Sequence, residues 1–109
     1  MNIDKYISWI DIPYLDKKDL VILHNFFTYI SRCDKHMSEI KRQLLFLTCL
    51  SIVLKFEKDI AFDISPFRYF SNDLLPYNNI SEKIIEFELI ILGHINFDLN
   101  KFNPKQKMI

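Results

Sequence analysis

Residues 44–54 read LLFLTCLSIVL and are apolar in nearly every helical direction. A helix built from them has no polar face to turn to water, so in a soluble protein other helices must enclose it. The run is too short to cross a bilayer, which takes about 20 apolar residues, and Thr48, Cys49 and Ser51 interrupt it. It therefore predicts a central core helix and no membrane span. The run stops on Lys55, with Phe56 and Glu57 directly after. A buried helix that ends on a lysine needs a physical reason.

The rest of the chain is arranged around that helix. One glycine in 109 residues and few strand-bounding turns predict an all-α protein, folded as one domain over residues 1–109. A short first helix over residues 4–12 stops at Pro13, with Tyr6, Ile7 and Ile10 on one face and Trp9 beside it. A second helix over 17–33 has Asp16 as its N-cap and Asp19 in its first turn. Leu20, Leu23, Phe27 and Ile30 recur along it as a core-facing stripe. The central third helix runs from an N-cap at Ser38 to about Phe56. After the loop EKDIAFDIS, Pro66 opens a fourth helix over 65–75. A fifth begins at 79–81 and ends near His94. Its apolar positions Ile84, Ile85, Phe87, Leu89, Ile90, Ile91 and Leu92 are broken by Glu88. The final stretch, NFDLNKFNPKQKMI, turns polar and is expected to fray.

Composition and spacing exclude several chemistries. The formal net charge is zero and no basic stripe appears, so nucleic-acid binding has no electrostatic support. The N-terminus lacks a basic start followed by an apolar stretch, which predicts an intracellular protein with Cys33 and Cys49 reduced. A single glycine cannot build a phosphate-binding loop. Cys33-x-x-His36 has a ligand-like spacing, and His24 and Cys49 would bring the count to four. That second pair is not a spaced motif, however, and Cys49 sits among leucines, where a thiol is inert. No metal and no cofactor are expected. His24 and His94 read as packing histidines, and Glu57, Asp59 and Asp63 as solvated loop acids. The chain reads as a binding module rather than an enzyme.

Two stretches, RQLLFLTCLSIVLKFEKD and EKIIEFELIILGHINFDL, together resemble the cyclin box. In that family a central third helix ends in a Lys-Phe-Glu-like element, and the fifth helix carries a Glu and ends in a Phe-Asp-Leu-like element. Here these are Lys55-Phe56-Glu57, Glu88 and Phe97-Asp98-Leu99. LVILHNFFTYISRC is similar to the family's second helix. The resemblance covers about residues 17–100 and is to a single N-terminal-type box, with a faint similarity to the P-type cyclins. It implies a compact five-helix bundle around a buried third helix.

The resemblance also implies a task. Cyclins bind cyclin-dependent Ser/Thr protein kinases, position the kinase's regulatory C-helix and supply no catalytic residue. By position, Lys55 and Glu88 are the charged kinase contacts, and Ile52, Phe56, Leu92, Phe97 and Leu99 line the apolar groove that receives the helix. The implied protein is a nuclear or cytoplasmic cell-cycle regulator, monomeric until it meets its kinase. Leu54, after Val53, stands where many cyclins place a small residue, and its bulk implies an altered groove. Two alternatives follow: a cyclin-fold scaffold that binds no kinase, or a divergent cyclin that sequesters a kinase without activating it. Taken singly, Lys55 could complement the helix dipole and Glu88 could face water.

Overall fold

The computed structural model describes residues 3–8, 15–33, 36–58 and 80–102. Every element in these residues is helical: α1 (Ile3–Ile7), α2 (Lys17–Ser31), α3 (Glu39–Val53) and α4 (Ile80–His94). A π turn, Leu54–Lys58, continues α3 without a break, and a 3-10 turn, Asn100–Phe102, follows α4. The all-α expectation holds, with no strand among the described residues. The helix expected over 65–75 lies outside the described residues, so they contain four α-helices and the count of five is not confirmed. Trp9, Ile10, Pro13, Asp59 and Asp63 lie outside them as well.

Local chemistry sets where the helices start. Asp16 caps α2: its side chain accepts from the Asp19 N–H at 2.9 Å, and the Asp19 carboxylate accepts in return from the Asp16 N–H at 3.3 Å. This reciprocal box satisfies two donors that the first turn of a helix leaves free. Ser38 caps α3 by accepting from the Lys41 N–H at 3.2 Å. Both caps stand where the sequence placed them.

Helix α3 is central, packed against α2 on one side and α4 on the other. Every residue from Gln43 through Leu54 is buried, which is what the apolar run demands. Its polar atoms find partners inside the protein: Thr48 donates to the Leu44 carbonyl at 2.8 Å, and Ser51 donates to Glu88. No buried side-chain nitrogen or oxygen among the described residues lacks a partner. On α2 the buried stripe is Ile22, Leu23, Phe26, Phe27 and Ile30, while Leu20 is only half-buried. Tyr6 brings α1 onto this core, its ring 5.3 Å from Phe46 and 6.0 Å from Phe27, and its hydroxyl donates to Glu39 at 2.7 Å. Burial and that carboxylate push the Tyr6 hydroxyl up to about 12.

The segment after α4 corrects an expectation. It does not fray at once: Ile95, Leu99 and Phe102 are buried, and Phe102 stacks on Phe26 at 5.1 Å. The Asn25 amide donates to the Phe102 carbonyl at 3.2 Å. Polar composition hid three apolar anchors spaced three and four residues apart. The chain turns into this segment at Asn96 and Phe97, both with positive φ (54° and 57°). The Phe97 N–H donates to the Leu92 carbonyl at 2.8 Å and the Asn96 N–H to the Gly93 carbonyl at 3.3 Å, the paired bonds of a Schellman cap.

Ionic ties close the other end of the bundle. Lys58 lies 3.2 Å from both Asp16 and Asp19, joining the π turn to the start of α2. The Asp19 N–H and the Lys58 ammonium hold the Asp16 carboxyl below its ordinary value, and Asp16 with Asp19 raise Lys58. Burial opposes ionisation of Glu39, but hydrogen bonds from Tyr6 and Gln43 and the charge of Lys5 outweigh it and hold Glu39 low. A depressed carboxyl stabilises above its unfolded pKa and loses that contribution as pH falls through its folded one. Thermal stability should therefore drop on acidification below about pH 4. Asp16→Asn, which keeps the cap but not the charge, should drop less steeply over that window. Equal slopes in thermal melts of the two proteins would contradict this account.

Candidate functional site

The change from α to π winding at Leu54 decides where the next side chains go. A π turn bonds i to i+5 and is wider than an α turn, so each residue after it is rotated away from its α-helical direction. Lys55 meets α4, while Glu57 and Lys58 meet the start of α2. The Lys55 ammonium lies 2.8 and 3.0 Å from the two oxygens of Glu88, and Glu57 lies 3.5 Å from Lys18. The two charges that interrupt apolar stretches thus share one edge of the bundle, in direct contact.

The pair is asymmetric. Glu88 is only 7% exposed, with one oxygen also accepting from Ser51, one helical turn before Lys55. The Lys55 side chain is 41% exposed. The carboxylate is thus fixed between two donors, and the ammonium reaches out to solvent. A buried carboxylate demands such pairing, and this is why a buried helix can end on a lysine.

Exposed apolar side chains border the pair. At 100° per residue around α4, Ile84, Glu88, Ile91 and Ile95 form the buried stripe. Immediately beyond Glu88 come half-buried Leu92 and then Ile85 and Leu89, 54% and 65% exposed. Phe56 follows Lys55 and is exposed, and Phe97 stands beyond the end of α4 at 62% exposure. An aromatic residue at positive φ is strained, and this one is held there with little burial to offset it. The opposite flank of α4 is different: Phe87 and Ile90 close over a groove of about 230 Å³ with Ile30, Met37 and Leu45.

The structure sorts the residues named from the sequence. Lys55 and Glu88 are together; Phe56 and Phe97 are displayed, with Leu92 partly so. Ile52 and Leu99 lie inside the core, 1% and 6% exposed, and support this surface from beneath. Leu54 is also buried, so its bulk does not project into any surface beside Lys55. Ser51, Ile85 and Leu89 escaped the sequence reading. Ser51 stands four residues before Lys55, and Ile85 and Leu89 flank Glu88 on the helical wheel. Taking Glu88 as the rim of the buried stripe would have found Ile85 and Leu89, and a step of one turn back from Lys55 would have found Ser51.

Cys49 is fully enclosed, and burial pushes its thiol up, so the structure places no reactive thiolate there. Among the described residues no three His, Cys, Asp or Glu side chains gather as metal ligands, and no described helix is long and apolar enough to cross a membrane.

The family model of the cyclin N-terminal domain matches residues 19–100. The chain belongs to the cyclin family. The matched span begins at the Asp19 of the capping box and ends in the 3-10 turn, so it takes in the three long helices and the Lys55–Glu88 edge. The cyclin domain is a regulatory fold and generally not an enzyme. Searches of curated proteins and of solved structures gave no match.

The geometry of the cyclin pair makes an asymmetric prediction about stability. Lys55→Met leaves the enclosed Glu88 carboxylate short of a counter-charge and should cost about 1–3 kcal/mol. Adding Glu88→Leu removes the stranded charge and should restore most of that loss. Urea unfolding of the single and double variants reads both values, and a double variant no more stable than the single one would refute the account.

Proposed function

We propose that this cyclin domain binds a cyclin-dependent Ser/Thr protein kinase through the Lys55–Glu88 edge and activates it by holding the kinase's regulatory C-helix. The observation that carries this reading is the preformed charged pair with exposed Phe56, Ile85 and Leu89 around it and exposed Phe97 beyond the end of α4. A helix docking on such a surface gains affinity from apolar anchors and register from charge-assisted bonds. Lys55 spends two hydrogen-bond contacts on Glu88 and still faces solvent. Its charge suits the carbonyl-rich C-terminal end of an incoming helix. Fixing the C-helix completes the kinase's own Lys–Glu pair and readies its activation loop.

The burial of Leu54 favours activation over sequestration, because the bulk that argued for an altered groove points into the core. The test is a kinase pull-down followed by titration of kinase activity with the cyclin. Binding with stimulation supports activation; binding without stimulation supports a sequestering cyclin. Lys55→Ala with Glu88→Ala should abolish or reduce binding at least tenfold. If that double variant stays folded and binds and stimulates as well as the unaltered chain, the contact lies elsewhere.

Phe97 offers an independent check. Phe97→Gly relieves the positive-φ strain and should raise folding stability by about 1 kcal/mol. It also deletes an exposed aromatic anchor, so kinase affinity should fall about tenfold. Opposite signs in the two measurements would mark Phe97 as a residue kept for binding; a loss of stability with unchanged affinity would mark it as structural.

A further inference from the structure

A second surface lies on the exposed flank of α2, away from the face packed on α3. His24, Thr28 and Arg32 recur every four residues and stand one above another along the helix. The 3-10 turn comes alongside, fixed by the stacking of Phe102 on Phe26, and sets the Lys101 ammonium 4.7 Å from the centre of the Tyr29 ring. These residues line a cavity of about 480 Å³. Its lining contains no carboxylate. Several other described cations are paired: Lys18 with Glu57, Arg42 with Glu39, Lys55 with Glu88 and Lys58 with Asp16. Among the described residues no ion pair engages His24, Arg32 or Lys101. In a chain of zero formal net charge, basic groups with no acidic partner among the described residues line one concave surface.

The donors match a phosphate monoester. Its three acceptor oxygens and near-double charge suit a planar guanidinium fork, an ammonium and a hydroxyl held together. A carboxylate would use fewer of them. The row from His24 to Arg32 is about 12 Å long at 1.5 Å per residue, well beyond the size of a phosphate ion, so residues on either side of the ester would also find room. We propose that this cavity binds a phosphoserine or phosphothreonine carried on a peptide segment, with the phosphate on Arg32 and Lys101 and the Thr28 hydroxyl beside them. That such a segment belongs to a protein already phosphorylated by a Ser/Thr kinase rests on the kinase-partner reading; the binding chemistry does not.

The test is an NMR titration of the full chain with three probes: a short phosphothreonine peptide, the same peptide unphosphorylated, and inorganic phosphate. The phosphopeptide should shift backbone amides of residues 24–32 and 100–102 and bind at least tenfold more tightly than either other probe. Arg32→Ala with Lys101→Ala should weaken it at least tenfold while the fold is retained, since both side chains are exposed. Equal binding of inorganic phosphate would reduce the cavity to a free-anion site and overturn the peptide proposal. Unchanged amides, equal binding of the unphosphorylated peptide, or full binding by the double variant would also overturn it. Lys55→Ala with Glu88→Ala should leave phosphopeptide binding intact, so a failure of the kinase contact and a failure of this site give separate results.

Discussion

The whole arrangement depends on the change of winding at Leu54. Had α3 continued as an α-helix, Lys55, Phe56, Glu57 and Lys58 would have followed at 100° steps around one cylinder. The π turn winds more loosely, with a smaller step per residue, and re-aims them: Lys55 ties α3 to α4 while Glu57 and Lys58 tie it to the first turn of α2. Three helices are therefore joined at one end by ionic contacts from a four-residue stretch. Single π turns tend to occur where function has overridden helical regularity. This one puts an exposed phenylalanine beside a cation whose partner is enclosed.

The parts of this fold that were legible in the sequence rest on strong local rules. Asp16 and Ser38 announced the starts of α2 and α3 because a cap is a hydrogen bond between near neighbours. The run over 44–54 announced the central helix because it has no polar face to expose. Two features that were not legible depend on contacts distant in sequence. The segment after α4 looked polar, yet Phe102 meets Phe26 across 76 residues of chain. Ile52 and Leu99 were read as lining residues from the family pattern, but that pattern does not distinguish a side chain on the surface from one just beneath it. Which apolar residues of α4 face water follows from periodicity only once Glu88 is taken as the rim of the buried stripe, because apolar side chains lie on both flanks of it.

Stability is a poor explanation for the Lys55–Glu88 pair. Enclosing a carboxylate costs desolvation that its partners only repay in part, and two apolar side chains of similar volume would pack there as well or better. The same holds for Phe97, where a glycine would adopt the backbone angles without strain. An ion pair and a strained aromatic, each partly open to solvent, therefore have no sufficient account in folding stability, and the proposed contact with a partner would give them one.

The two surfaces also differ in how they are built. The Lys55–Glu88 edge is pre-organised: its carboxylate is held by two donors and its apolar residues sit on one side of a long helix, so little order remains to be lost when a rigid partner docks. The α2 flank is formed by long, exposed side chains around a stacked aromatic base, with Lys101 lying over the Tyr29 ring and Arg32 open to solvent. The first design favours a folded helix that already has its shape. The second favours a short, charged and flexible segment. Because α2 carries its core stripe on one face and the cationic row on another, with α3 between that helix and α4, the two ligands would occupy separate parts of the surface and neither would need to displace the other.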